Sequence, residues 1–159
     1  MGEVDYEETE YSVGDVMSTP LVKALPVMSV KRAAEIMIKE RIGSIVVVNE
    51  NNSLLGIVTR TDIIREVVAK GRDPEEITLG DIMTPNPHFV YADESLERAA
   101  EIMGSYGIGH LPVLDPHTHK PVGMISLRDI VRYAPDYIRL IVSLKRELDA
   151  RTSGEEREG

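Results

Sequence analysis

The chain contains no cysteine, so neither a disulfide framework nor a thiolate metal site is available to it. A reducing, cytoplasmic setting suits such a composition and is the expected one. No apolar run approaches the roughly eighteen residues that a membrane span needs, and the acidic start carries no signal-peptide pattern. A soluble chain is expected. Basic charge is scarce: 18 Lys and Arg stand against 27 Asp and Glu, a formal net charge of −9. A general nucleic-acid binder, which shows a basic face, is therefore disfavoured. The sequence also lacks a Walker-type loop, a Ser-His-Asp set in a recognisable context and a cluster of metal ligands, which argues against an enzyme.

What the chain has is a repeat. Val13-Gly14-Asp15-Val16-Met17-Ser18 returns as Leu79-Gly80-Asp81-Ile82-Met83-Thr84, and Arg32–Met37 returns residue for residue as Arg98–Met103. Across 13–48 against 79–114, 13 of 36 positions are identical without a gap. One inserted residue then moves the offset from 66 to 67, and Gly56–Asp62 answers Gly123–Asp129. A duplicated unit predicts a pseudo-two-fold body with paired, equivalent clefts. Each half alone would bury only about 60% of its unfolded surface, so the halves are expected to depend on each other.

Hydrophobic periodicity predicts the order β-α-β-β-α twice. In the first copy the strands are Leu21–Leu25, Ser44–Val48 and Leu54–Val58. A helix capped by Ser29 runs to about Arg41, and a second opens near Thr59 and closes at Gly71. In the second copy the strands are Pro87–Tyr91, His110–Leu114 and Val122–Ile125, with helices over about 94–106 and 126–133. The boundaries follow: an acidic N-terminus over 1–11, repeat 1 over 12–71, a linker over 72–78, repeat 2 over 79–134, a C-terminal helix over 135–151 and a tail over 152–159. The fold class is mixed α/β (α+β) with an added C-terminal helix. That helix carries an apolar stripe of Tyr137, Ile138, Ile141, Leu144 and Leu148, fit to pack on its own sheet, pair with a second copy or dock to a target.

Candidate chemistry centres on Thr59-x-x-Asp62 and Ser126-x-x-Asp129. Each directly follows an apolar strand with a glycine three residues before the hydroxyl. Two readings fit. A hydroxyl cap with an acid three residues on is a capping box that satisfies helix amides. The same arrangement offers donors to a phosphate and a carboxylate to a vicinal diol such as a ribose.

The ordered set of these motifs resembles a tandem pair of CBS domains, a Bateman module, over roughly 13–133. The resemblance implies two repeats packed through their sheets about a pseudo-two-fold axis, with adenosine ligands in clefts between the halves. By that likeness the motif acid binds ribose and the hydroxyl faces phosphates. One cleft would join Ser18, Pro20, Ile42, Gly43 and Ser44 to Ser126, Arg128 and Asp129. The other would join Thr84, Asn86, Ile108, Gly109 and His110 to Thr59, Thr61 and Asp62. The expected ligand is AMP, ADP or ATP, with S-adenosylmethionine as a competitor and no catalytic cofactor.

Other residues have simpler readings. His110 is either a structural histidine at a strand start or a phosphate contact. His117 and His119 occupy a turn and are expected to be exposed rather than metal-bound, and His88 has no partner near it in sequence. Met17, Met37, Met83 and Met103, paired by the repeat, are expected in packing. Arg60, Arg65, Arg128 and Arg132 form a basic helix side, solvated or serving as counter-charge to a phosphate. The leading functional expectation is a non-catalytic module that signals energy state to a separate protein, working as a homodimer. A ligand-free structural dimer and a nucleotide-processing enzyme are the alternatives.

Overall fold

The structure is a computed structural model that describes residues 11–158, with side chains through Gly154. The expected acidic segment over 1–11 lies almost wholly outside the described residues. The elements are α1 (Val13–Val16), β1 (Lys23–Ala24), α2 (Val30–Glu40), β2 (Ser44–Val48), β3 (Leu54–Thr59), α3 (Arg60–Ile63), α4 (Leu79–Ile82), β4 (Thr84–Pro85), β5 (Val90–Tyr91), α5 (Leu96–Tyr106), β6 (His110–Leu114), β7 (Pro121–Ser126), α6 (Leu127–Tyr133) and α7 (Ile138–Glu158). A π-helical turn, Ile64–Val68, continues α3, and a 3-10 turn, Pro135–Tyr137, precedes α7. This is the mixed α+β class expected, with the strands in two sheets.

Local chemistry accounts for most of these boundaries. Ser29 accepts the Arg32 N–H at 3.1 Å and Ser95 accepts the Arg98 N–H at 3.1 Å, so α2 and α5 start on equivalent hydroxyl caps. α5 ends on Gly107 with φ +65° and α2 on Arg41 with φ +56°. Both ends turn left-handed, a conformation that suits the glycine and strains the arginine. β2 is buried along its whole length, as its unbroken Ile-Val-Val-Val run predicts.

The compact units are not the sequence repeats. One unit is Thr19–Pro87 with His119–Pro121. It holds the sheet β1-β2-β3-β4, covered by α2 and α4 around Val30, Met37, Ile45, Val58 and Leu79. The other unit takes the described residues up to Ser18, then His88–Thr118 and everything from Val122. It holds β5-β6-β7 and a core around Val13, Leu96, Met103, Leu111 and Ile130. The lead-in of each repeat therefore completes the other repeat's unit.

Two glycines make this exchange fit. β4 pairs antiparallel with β3, setting Thr84 against Ile57 and Pro85 against Gly56. A Cβ on Gly56 would meet Met83 Sδ at 2.6 Å and the Thr84 carbonyl oxygen at 2.8 Å. In the other unit Ser18 bridges Met124, and a Cβ on Gly123 would collide with Met17 Sδ. The glycine of each G-x-x-[ST] motif thus makes room for a methionine from the other repeat. The paired methionines are packing residues, as expected.

The linker over 72–78 docks onto the start of α2. The Val30 N–H donates to the Ile77 carbonyl at 2.8 Å, the Lys31 N–H to Pro74 at 2.9 Å, and Lys31 Nζ pairs with Glu75 at 2.7 Å. The C-terminal helix chooses a course the stripe alone left open. α7 lies on α5, where Leu144 and Leu148 pack against Gly104 and Gly107, rather than on a sheet. It also runs to Glu158, beyond the expected end at 151.

Fragments should follow the spatial units. Residues 19–87 are expected to unfold cooperatively in urea when expressed alone, whereas 12–78, which lacks β4, should not. Gly56→Ala in the full chain should cost about 1–3 kcal/mol through overpacking, read as a lowered urea midpoint.

Candidate functional site

Each motif acid closes a helix start. In the first unit described above, the Thr59 N–H donates to Asp62 Oδ2 at 2.8 Å and the Asp62 N–H donates to Thr59 Oγ1 at 3.2 Å. In the second, the Ser126 N–H and hydroxyl donate to Asp129 Oδ2 at 2.8 and 3.0 Å, and the Asp129 N–H donates to Ser126 Oγ at 3.3 Å. Both are reciprocal capping boxes, so the local reading of the motif holds at both places. The acids differ in what remains of them. Asp62 is buried, at 5% exposure, and Arg65 Nη2 donates to its Oδ1 at 2.7 Å. Asp129 is half-buried, and its Oδ1 accepts no hydrogen bond from the described residues.

The same box stands at two further helix starts that periodicity alone does not reveal. Ser12 with Asp15 caps α1, and Asp81 accepts the Thr78 N–H at 2.9 Å ahead of α4. Their S-x-x-D and T-x-x-D spacing equals that of the candidate motifs and was the available signal. These backbone hydrogen bonds have an electrostatic consequence. The Thr78 N–H holds the Asp81 carboxyl below its ordinary value, and the Thr118 and His117 N–H groups do the same for Asp115.

The remaining expected residues fall in two groups, one to each unit. In the unit of Thr59 and Asp62 are Thr84 in β4, Asn86, whose N–H donates to the Leu55 carbonyl at 3.1 Å, and Ser44, which faces Thr59 across the β2–β3 ladder. Gly43 is beside them, its carbonyl accepting the Arg60 N–H at 3.2 Å. Ile42 precedes it and is half-buried, while Thr61 in the first turn of α3 and Pro20 are exposed. Around Ser126 and Asp129 lie Arg128, Ser18, whose N–H donates to the Met124 carbonyl at 2.8 Å, and Gly109, whose carbonyl accepts the Leu127 N–H at 2.8 Å. Ile108 and His110 flank Gly109. Within the units, then, Gly43 adjoins the Asp62 motif and Gly109 adjoins the Asp129 motif.

The other histidines resolve simply. His88 stacks on Tyr106 with ring centroids 3.8 Å apart, a partner eighteen positions away that local reading misses. His117 lies in a turn organised by Asp115, whose Oδ1 accepts the His117 and Thr118 N–H groups. No group of three potential metal ligands occurs among the described residues. No helix among them is long and apolar enough to cross a membrane.

The CBS domain profile matches the chain twice, over residues 13–69 and 79–136. The chain belongs to the CBS domain family. As a CBS pair it is 32% identical over 130 residues to an uncharacterised protein of Methanopyrus kandleri, covering 82% of this chain and 66% of that one. It is 34% identical over 120 residues to an L-aspartate semialdehyde sulfurtransferase of Methanocaldococcus jannaschii, covering 76% of this chain but only 22% of that enzyme. Among solved structures it resembles a CBS domain pair in complex with 5′-methylthioadenosine and S-adenosyl-L-methionine. There the TM-score is 0.69 and the identity 32%, over 77% of this chain and 94% of the other.

The lowered carboxyls of Asp81 and Asp115 predict an acid-labile contribution to the fold. A carboxyl whose pKa is lowered in the folded state contributes stability that is complete above the unfolded value. That stability is lost as pH falls through the folded one. The urea midpoint of this CBS pair should therefore stay level from about pH 7 to pH 5 and fall below about pH 4. Asp81→Asn should flatten part of that fall.

Proposed function

We propose that this CBS pair is a non-catalytic regulatory module that binds an adenosine ligand, held at its ribose by Asp129. The observation that carries this is the division of labour within one carboxylate. Asp129 Oδ2 is spent on the Ser126 cap, which locks the side chain in place, while Oδ1 accepts nothing from the described residues. A fixed, half-buried carboxylate oxygen is a good acceptor for a ribose hydroxyl and is preorganised at no further cost.

The ligand class favoured is S-adenosylmethionine and its thioether relatives. Ser126, the hydroxyl expected to face phosphates, already donates to Asp129 at 3.0 Å and accepts the Asp129 N–H at 3.3 Å. The similar CBS pair bound to 5′-methylthioadenosine and S-adenosyl-L-methionine supports the same class. AMP, ADP or ATP is the second reading, favoured by exposed Arg128 one position before the acid. Regulation would work by differential affinity for two arrangements of the chain, read by a partner protein or by a second copy in a homodimer.

Thermal unfolding tests this directly. With S-adenosylmethionine, 5′-methylthioadenosine, AMP, ADP or ATP at about 100 times its Kd, the correct ligand should raise Tm by about 5–10 °C. Asp129→Asn keeps a cap acceptor while putting an amide where the free oxygen was, and should abolish the shift. Asp81→Asn, at a cap outside the motif, should leave it intact. A flat response to all five ligands would leave a structural module as the better account.

A further inference from the structure

Duplication allows the two motif sites to be compared position by position at an offset of 67. Arg65 corresponds to Arg132, Glu66 to Tyr133 and Arg60 to Leu127. In the first site Arg65 spans two acids, donating from Nη2 to Asp62 Oδ1 at 2.7 Å and from Nε to Glu66 Oε1 at 3.1 Å. Glu66 is itself held by Lys70 Nζ at 2.6 Å. In the second site Tyr133 replaces that anchoring acid. Arg132 then lies 5.8 Å from the Tyr133 ring centroid and makes no ion pair among the described residues.

A second difference points the same way. The Arg60 guanidinium covers Gly43, where an added Cβ would meet its Nη2 at 3.0 Å. At Gly109 an added Cβ would find no atom within 4 Å, and Leu127 stands where Arg60 stood.

From these differences we infer that Arg65, anchored by Glu66 and assisted by Arg60, closes the Asp62 site. The chain then takes a single adenosine ligand, at Asp129. A carboxylate with one oxygen on its cap and the other on a guanidinium offers a ribose diol no oxygen free of partners. Loading it would mean breaking a charge-assisted bond to a buried acid. The two sites carry the same motif, so the selection lies outside it, in residue 66 and its counterpart 133. The inference rests on the reading of Asp129 as the ribose acceptor.

Isothermal titration calorimetry on the full chain separates the two claims, with S-adenosylmethionine, 5′-methylthioadenosine and AMP as probes. The unmodified chain should bind a single ligand, and Asp129→Asn should bind none. Arg65→Met should gain a second binding event. So should Glu66→Tyr, which transplants the residue of the open site and keeps Arg65 in the chain. Thermal melts establish that each variant is folded. Two ligands on the unmodified chain, or a single ligand that survives Asp129→Asn, would overturn the closure. An unchanged stoichiometry in both folded variants would overturn it too. No binding by the unmodified chain together with binding by Arg65→Met would sink the role of Asp129 while upholding the closure. No binding by any form would remove both.

Discussion

A methionine laid across a strand glycine completes each unit of this protein. Met83 lies on Gly56 and Met17 on Gly123, and in each case the glycine and the methionine come from different repeats. The flexible thioether fills a trough that exists only because the strand lacks a Cβ there. The following residues then pair with the strand itself, as Thr84 does with Ile57 and Ser18 with Met124. Strand, trough and lead-in fix where the strand ends. That end fixes where Thr59 and Ser126 turn the chain into a helix, so the candidate sites inherit their placement from this packing.

The motif acids show how one carboxylate serves structure and leaves chemistry over. Capping takes Oδ2 at both positions, and the neighbourhood decides the fate of Oδ1. At Asp62 an arginine steadied by a second acid takes it, and the group is sealed. At Asp129 a tyrosine stands in place of the second acid, and the oxygen stays free of the described residues. A structural cap and a binding group are thus compatible descriptions of Asp129, because the cap occupies only one of its two oxygens.

Much of the architecture was legible because it is periodic. The alternation of apolar residues located β2, α2, α5 and β6 closely, with Ser29 marking the start of α2. What stayed hidden is non-local. The family resemblance joined Ser18 to Ser126, but nothing in the stretch 12–71 itself says that its lead-in belongs to the other unit, since the evidence for that is the fit of Met17 to Gly123. α1 and α4 are single turns, too short for a period, and only their capping spacing betrays them. The stripe on α7 announced a packed helix but not its partner, which depends on Gly104 in α5 and Gly107 at its end. At the site, the motif located both acids, while the contrast between them lies in Glu66 and Tyr133, outside any motif.

The exchanged lead-ins also make the two units unequal during synthesis. When Thr84 leaves the ribosome, its partner strand around Ile57 has already been made, so β4 can pair with β3 as soon as it emerges. Ser18 is made early and must wait for Met124, about a hundred residues later, or roughly 5–20 s at ordinary elongation rates. Through that interval Val13, Val16 and Met17, apolar residues destined for the other unit's core, have no core to enter. That apolar segment stays unclaimed until the strand around Met124 has been made.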